Sequence, residues 1–333
     1  MSFSFPVLVG DIGGTNARFA IVADAGAPAV AFEPVRIRQF GSIEEAITRS
    51  VLSATSLRPA SMMLAIATPL VGETFRLTNA DWVIDPAALI GRFGLSEVVL
   101  LNDFAAQGLA ALALGPEHLA GIGERAVVDG RPKVVIGPGT GLGIAFVVNV
   151  GGKWAIIPGE GGHIDIGPRT EREMAIWPHL RKENGRMSAE CAICGRGLQN
   201  LHQAICRLEG RDAGDADASE ISERGLAGDD PAMAEAVSLF LTLLARVCGD
   251  MALLTLAHGG VYIAGGIAAK MLPGIQRPRF REEFEDKAPH QAIMRAIAVN
   301  VMTHPTAALE GLIACVRRSD RFSLEGATRR FRR

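Results

Sequence analysis

The residues of this chain best suited to chemistry sit in short glycine-rich turns. Gly10-Asp11-Ile12-Gly13-Gly14-Thr15 gathers three glycines, a carboxylate and a hydroxyl in six positions. Such a turn aims backbone N–H groups into one concavity, a fixed partial positive charge that suits phosphate oxygens. Asp11 can hold Mg²⁺ through water, because that ion keeps several waters and takes one or two carboxylates. The same residues also make an ordinary hairpin, since Asp and Gly favour turns. No Lys-Ser or Lys-Thr pair follows, so the segment is not a P-loop. A second turn, Gly137-Pro138-Gly139-Thr140-Gly141-Leu142-Gly143, has four glycines in seven positions. Two such turns at equivalent places suit a triphosphate cradled from both sides. A third element, Gly265-Gly266 after the apolar run 261–264, can lay its backbone flat against a nucleoside, or simply end a strand.

Polar side chains accompany these turns. Asn102-Asp103 follows the apolar run 98–101, at the strand end where open α/β sheets bind ligands. Either residue can cap a helix. Two together exceed one cap and leave a carboxylate for general-base work. In Gly159-Glu160-Gly161-Gly162-His163 three glycines flank an acid and an imidazole without helix or strand period, which predicts an exposed loop. Glu190, after Ser188, reads as a first-turn acid favoured by the helix dipole. His258 and His304 read as structural or surface residues. Cys191 and Cys194 form the only close cysteine pair, with no second pair to complete a zinc site.

The elements that must position these groups follow from pattern. Strands are predicted at 7–9 and 17–22 around the first turn, then at 35–39, 62–67, 74–77 and 98–101. Ser42 with Glu45 has capping-box spacing for a helix over 43–55. Further helices are predicted at 86–93 and from Asn102-Asp103 to about 114. Strands at 134–136, 143–150 and 154–157 surround the second turn, and helices follow at 171–182, 195–208, 230–256 and 306–317. Residues 7–22 and 134–148 share one plan of strand, small-residue turn with Thr, and strand. This weak repeat implies two similar halves, each presenting its turn to a shared cleft. Residues 209–223 read as a surface insertion, and the basic tail 329–333 as a solvated terminus.

Composition narrows the field. A chain of 333 residues suggests about two domains. With 34 basic and 36 acidic residues the net charge is −2, which excludes a broad footprint for nucleic acid or an anionic membrane. Aromatics are only 5%, which disfavours stacking platforms for single-stranded nucleic acid. The uncharged stretch 251–269 is long enough for a membrane span. Its glycine pairs instead suit helix, turn, strand, turn. Five cysteines without a framework and an N-terminus unlike a signal peptide point to the cytoplasm.

Taken together and in order, Gly10–Asn16, Leu101–Phe104, Gly137–Gly143, Pro158–His163, Ser188–Glu190 and Ala264–Ile267 resemble the bacterial ATP-dependent glucokinases. These form the hexokinase-like group of the sugar kinase/actin-like ATPase superfamily. The resemblance spans about residues 7–317. It implies a two-lobed α/β fold of the actin-like, ribonuclease H-like kind, closing on sugar at a cleft. The small lobe would be 1–114, joined by a C-terminal helix over 303–320, and the large lobe 115–302. By the same resemblance Asp103 is the catalytic base, and Asn102, Glu160, His163 and Glu190 bind sugar hydroxyls. Gly10 to Thr15 and Gly137 to Gly143 hold phosphates, and Gly265 and Gly266 the adenosine. The implied reaction transfers the γ-phosphoryl group of ATP, with Mg²⁺, to the 6-hydroxyl of glucose, giving glucose 6-phosphate and ADP as the first step of glycolysis, in a homodimer that binds neither nucleic acid nor membrane. The cysteine spacing departs from the zinc motif of the related ROK sugar kinases, so zinc is not carried over. Rival readings are a kinase for another hexose or amino sugar, a non-catalytic sugar sensor and an actin-like structural ATPase. Polyphosphate is the rival donor, although 261–267 favours a nucleoside.

Overall fold

The structure is a computed structural model that describes residues 3–77 and 81–333. The strands that matter for the site are β1 (Val7–Ile12), β2 (Asn16–Val22), β3 (Ser61–Ile66), β4 (Glu97–Asn102), β5 (Lys133–Pro138), β6 (Leu142–Val150), β7 (Val261–Ile263), β8 (Val299–Met302) and β9 (Thr328–Arg332). The helices are α1 (Asp103–Ala113), α2 (Gly195–Leu208), α3 (Ala218–Ala227), α4 (Pro231–Thr255) and α5 (Ala307–Arg317). The chain divides into two units. One holds the chain up to His118 with Ala145–Pro158 and His304–Arg333; the other holds Leu119–Ile144 and Gly159–Thr303.

In the first unit β1, β3 and β4 run parallel, and β2 returns antiparallel along β1. Nearly every residue of β1, β3 and β4 is buried, the mark of strands covered on both faces. The register sets Ile12 beside Ile66 and Ile66 beside Asn102. Three strand ends are therefore level. Leu8, Phe19, Ile43, Met62, Trp82 and Val98 belong to one buried cluster. Helices α1 and α5 pack together closely, and Gly311 is what allows it. A Cβ there would lie 2.6 Å from the Ala106 carbonyl oxygen and 2.5 Å from the Ala110 nitrogen.

In the second unit β5, β7 and β8 are parallel neighbours, with Ile136 beside Ile263 and Ile263 beside Val301. Helix α4 is long and apolar enough to cross a membrane by length and composition, yet 78% of its most apolar window is buried inside the protein. Stretch 251–269 divides into the end of α4, a turn, β7 and the helix start at Gly266, as its glycines imply. Within α4, buried Arg246 donates to both oxygens of Glu173, at 2.8 and 3.0 Å, and to Glu283 at 2.8 Å.

Several expectations need correction. The basic tail is not a solvated terminus but strand β9, antiparallel to β4 from Thr328 beside Leu101 to Arg332 beside Glu97. Glu97 is buried and needs a cation, which Arg330 supplies. Phe331 meets Phe75 edge-on, ring centroids 6.1 Å apart, a contact worth about 0.5–1.5 kcal/mol beyond burial. The stretch 209–223 is not merely an insertion. Asp217 caps α3 through the Ser219 and Glu220 amides, and Ile221 is fully buried. The helix predicted at 43–55 changes to a wider turn after Ile47. That at 171–182 tightens at Trp177, where Pro178 cannot donate the next helical bond. The strand predicted at 35–39 is only Val35–Arg36, and that at 74–77 only Phe75–Arg76.

Candidate active site

The first unit presents two groups at one sheet edge. The turn after β1 closes by a bond from the Gly13 nitrogen to the Asn16 carbonyl, 3.0 Å. Gly10 is fixed by packing, since a Cβ would lie 2.8 Å from Leu64 Cδ2 and 3.1 Å from the Phe19 ring. Asp11 Oδ2 meets Arg18 Nη1 at 3.3 Å, across the β1–β2 pairing that sets the two residues opposite each other. Burial lifts the Asp11 carboxyl above its ordinary pKa, with Arg18 opposing that shift. A cation would therefore favour its charged form. Among the described residues no three His, Cys, Asp or Glu gather as a metal cluster. Mg²⁺ shared with phosphates does not need one, and Asp11 fits the role of a single carboxylate holding it through water.

Two strands along the same edge, about 10 Å by ordinary strand spacing, β4 ends in Asn102 and α1 begins at Asp103. The Phe104 amide donates to Asn102 Oδ1 and to Asp103 Oδ1, both at 2.9 Å. One amide thus orients both side chains. Each is half-buried, at the positive end of the 11-residue α1.

The second unit gathers the other candidates. The turn between β5 and β6 closes by a bond from the Gly139 nitrogen to the Gly141 carbonyl, 2.7 Å. Gly265, with φ of 92°, lies beside it; a Cβ there would be 3.0 Å from the Pro138 carbonyl oxygen. The parallel register of β5 and β7 brings these two glycine elements together. The Gly195 amide at the start of α2 donates to the Gly139 carbonyl at 3.0 Å, so a 14-residue helix begins against the turn. Sequence reasoning assigned α2 no part in the site. Cys194, whose Sγ accepts from the Gly197 amide at 3.3 Å, is its cap.

Leu142, the first residue of β6, joins the remaining groups. Its N–H donates to Glu190 Oε2 at 2.9 Å. Its carbonyl packs on Gly162, where a Cβ would lie only 2.1 Å away. Gly161 presses likewise on Ile144, 2.8 Å from its Cδ1 by the same measure. These contacts explain the two glycines before His163. The Ala189 amide donates to the Ile164 carbonyl at 2.9 Å, and Arg186 donates to the His163 carbonyl at 3.1 Å. The segments bearing Glu160, His163 and Glu190 are therefore stitched into one surface. Glu160 and His163 face solvent, side chains 77% and 52% exposed and 3.9 Å apart. Glu190 is only 15% exposed, and its Oε1 lies 3.5 Å from Arg196. The sequence reading of Glu190 as a first-turn acid missed both partners.

Glycine turns at parallel strand ends with carboxylates beside them fit a phosphotransferase, and the fold comparison shows the actin-like ATPase class. A crystal structure of glucokinase from an Antarctic psychrotroph has a TM-score of 0.83 and 30% identity, covering 93% of this chain and 98% of its own. A ROK family glucokinase from Streptomyces griseus, solved with glucose and AMPPNP, shares the fold at a TM-score of 0.63 and 19% identity, over 94% of this chain and 99% of its own. Sequence comparison is more specific. The glucokinase family model matches residues 8–319. The glucokinase of Sinorhizobium medicae is 49% identical over 332 residues, covering 100% of this chain and 98% of that relative. The chain belongs to the glucokinase family.

Proposed function

We propose that this enzyme transfers the γ-phosphoryl group of ATP to the 6-hydroxyl of D-glucose, with Asp103 as the base. The observation that carries the role of Asp103 is its level position with the first glycine turn at one sheet edge, its carboxylate oriented by the Phe104 amide. As the sugar oxygen attacks, its proton passes to Asp103. The new O–P bond forms while the bond to the leaving ADP oxygen breaks. Such transfers rest on positioning and charge stabilisation more than on covalent chemistry. Gly10 to Thr15 and Gly137 to Gly143 supply N–H donors to the phosphates, and Gly265-Gly266 supports the adenosine. Asp11 would hold Mg²⁺ through water, and the ion would offset charge on the phosphate oxygens.

Asn102, Glu160, His163 and Glu190 meet sugar hydroxyls. A sugar lacking a hydroxyl leaves one of them unpaired, and sites of this kind discriminate by about 10⁴. The reading includes a cytoplasmic homodimer. The family resemblance supports the dimer, and five free, buried thiols support a reducing compartment. The test is product formation from glucose and Mg-ATP, compared with mannose, fructose, glucosamine and N-acetylmannosamine. Glucose 6-phosphate as the dominant product is expected. A preference for another sugar would overturn the assignment of substrate, and sugar binding without product would overturn the assignment of chemistry.

A further inference from the structure

Glu190 does more here than wait for a sugar. Its Oε2 accepts the Leu142 N–H at 2.9 Å, and it lies 2.4 Å from where a Cβ on Gly141 would be. The carboxylate thus rests on the backbone of the second glycine turn and occupies one of the donors there. The turn itself contains no acid or base from Gly137 to Gly143, so Glu190 brings a negative charge to it from outside. Arg196 stands 3.5 Å from the other oxygen but is 63% exposed, so it only partly offsets that charge. The Leu142 carbonyl is pressed on Gly162, one residue from His163. A single residue at the end of the turn therefore touches both segments that carry sugar-binding candidates.

We propose that Glu190 is a sugar-operated gate on nucleotide binding. The proposal rests on the reading above, in which the turn faces phosphates and Glu190 faces sugar hydroxyls. Without sugar, the carboxylate covers the Leu142 N–H and repels phosphate oxygens. A bound sugar hydroxyl donates to the same carboxylate and turns it toward the sugar, away from Leu142. The N–H is then released to a phosphate, and the charge is drawn toward the sugar. ATP thereby binds productively after the sugar, and transfer to water is suppressed while the sugar is absent.

The experiment is calorimetric titration of Mg-AMPPNP into wild type, Glu190→Ala and Glu190→Gln, without sugar, with thermal melts confirming folding. Removing a like charge a few ångströms from a phosphate in a partly screened site predicts tightening by about tenfold in Glu190→Ala. Glu190→Gln loses the charge while its amide oxygen can keep the bond to Leu142, so it should tighten by a smaller factor. It also carries the test if the alanine variant does not fold. Sugar-free ATP hydrolysis should rise with the tightening. A residue that only braced the turn would give the opposite sign, since its loss would loosen the cradle and weaken nucleotide binding. Unchanged or weaker nucleotide affinity in the folded variants overturns the gate. That failure is separate from failure of the functional reading, which is scored by glucose turnover in the wild type.

Discussion

The two sheet edges are built differently, although each begins with the same strand–turn–strand plan. At the first, the polar groups come from the strands themselves. Asp11 is opposed by Arg18 seven residues on, and Asn102 and Asp103 are oriented by the very next amide, that of Phe104. At the second, the turn is electrically bare and its partners arrive from afar. Glu190 reaches Leu142 across 48 residues, and the Gly195 amide reaches Gly139 from the start of α2. Short-range construction leaves the Asp103 carboxylate oriented by its own chain, which is what the proposed base needs. Long-range construction gives a surface that several segments share, suited to sensing what is bound. On our reading the first edge supplies the base, with Asn102 beside it for the sugar, and the second carries most of the recognition.

The sharpest way to break this division is Asp103→Ala. Loss of a positioned base should lower kcat by about 10²–10⁴, or roughly 3–5 kcal/mol, while Mg-AMPPNP affinity is kept. Steady-state kinetics with a binding titration measure both, and near-normal turnover would remove Asp103 from the mechanism. A change outside both edges shows what general loosening looks like. Burial pushes the Glu173 carboxyl upward, but bonds from Arg246 and the Arg169 amide outweigh it and hold it below the ordinary range. Its pairing thus contributes stability above the ordinary carboxylate pKa and loses it as pH falls through the depressed value. Glu173→Gln should cost about 3 kcal/mol near neutrality and flatten the acid side of a stability–pH curve, with KM for glucose unmoved. Denaturant melts across pH 3–7 (roughly the range where a carboxylate titrates) would show it.

Gly162→Ala probes the shared surface. Its Cβ would collide with the Leu142 carbonyl, so strand and loop must part at a cost of about 1–3 kcal/mol. KM for glucose and nucleotide affinity should both worsen, because Leu142 serves both segments; an effect on neither would dissolve the link. The smallest effect belongs to Glu160→Gln. An exposed acid giving up a charged hydrogen bond to sugar should raise KM about tenfold with kcat nearly kept. A fall in kcat alone would move Glu160 to the chemistry edge.

Much of this was legible in the residues. Strand, glycine turn and strand could be read at both places because the hydrophobic alternation and the turn chemistry are local. The Ser42 cap, with its bond to the Glu45 amide at 3.3 Å, and the start of α1 were legible for the same reason. The exposed setting of Glu160 and His163 followed from glycines on both sides.

What escaped were partners distant in sequence. Nothing near residues 329–333 says that a buried Glu97, 233 residues from Arg330, will draw this basic segment into a sheet. Likewise Ser188 and Glu190 carry no local sign of Leu142, and Gly162 no sign of the carbonyl pressed against it. The reason is physical. A turn or a cap is decided within a few residues by dihedral preference and the nearest free amide, so its pattern is written in the chain. Which carboxylate covers which N–H, and which glycine is squeezed, depends on segments that meet only once the sheets and helices have packed.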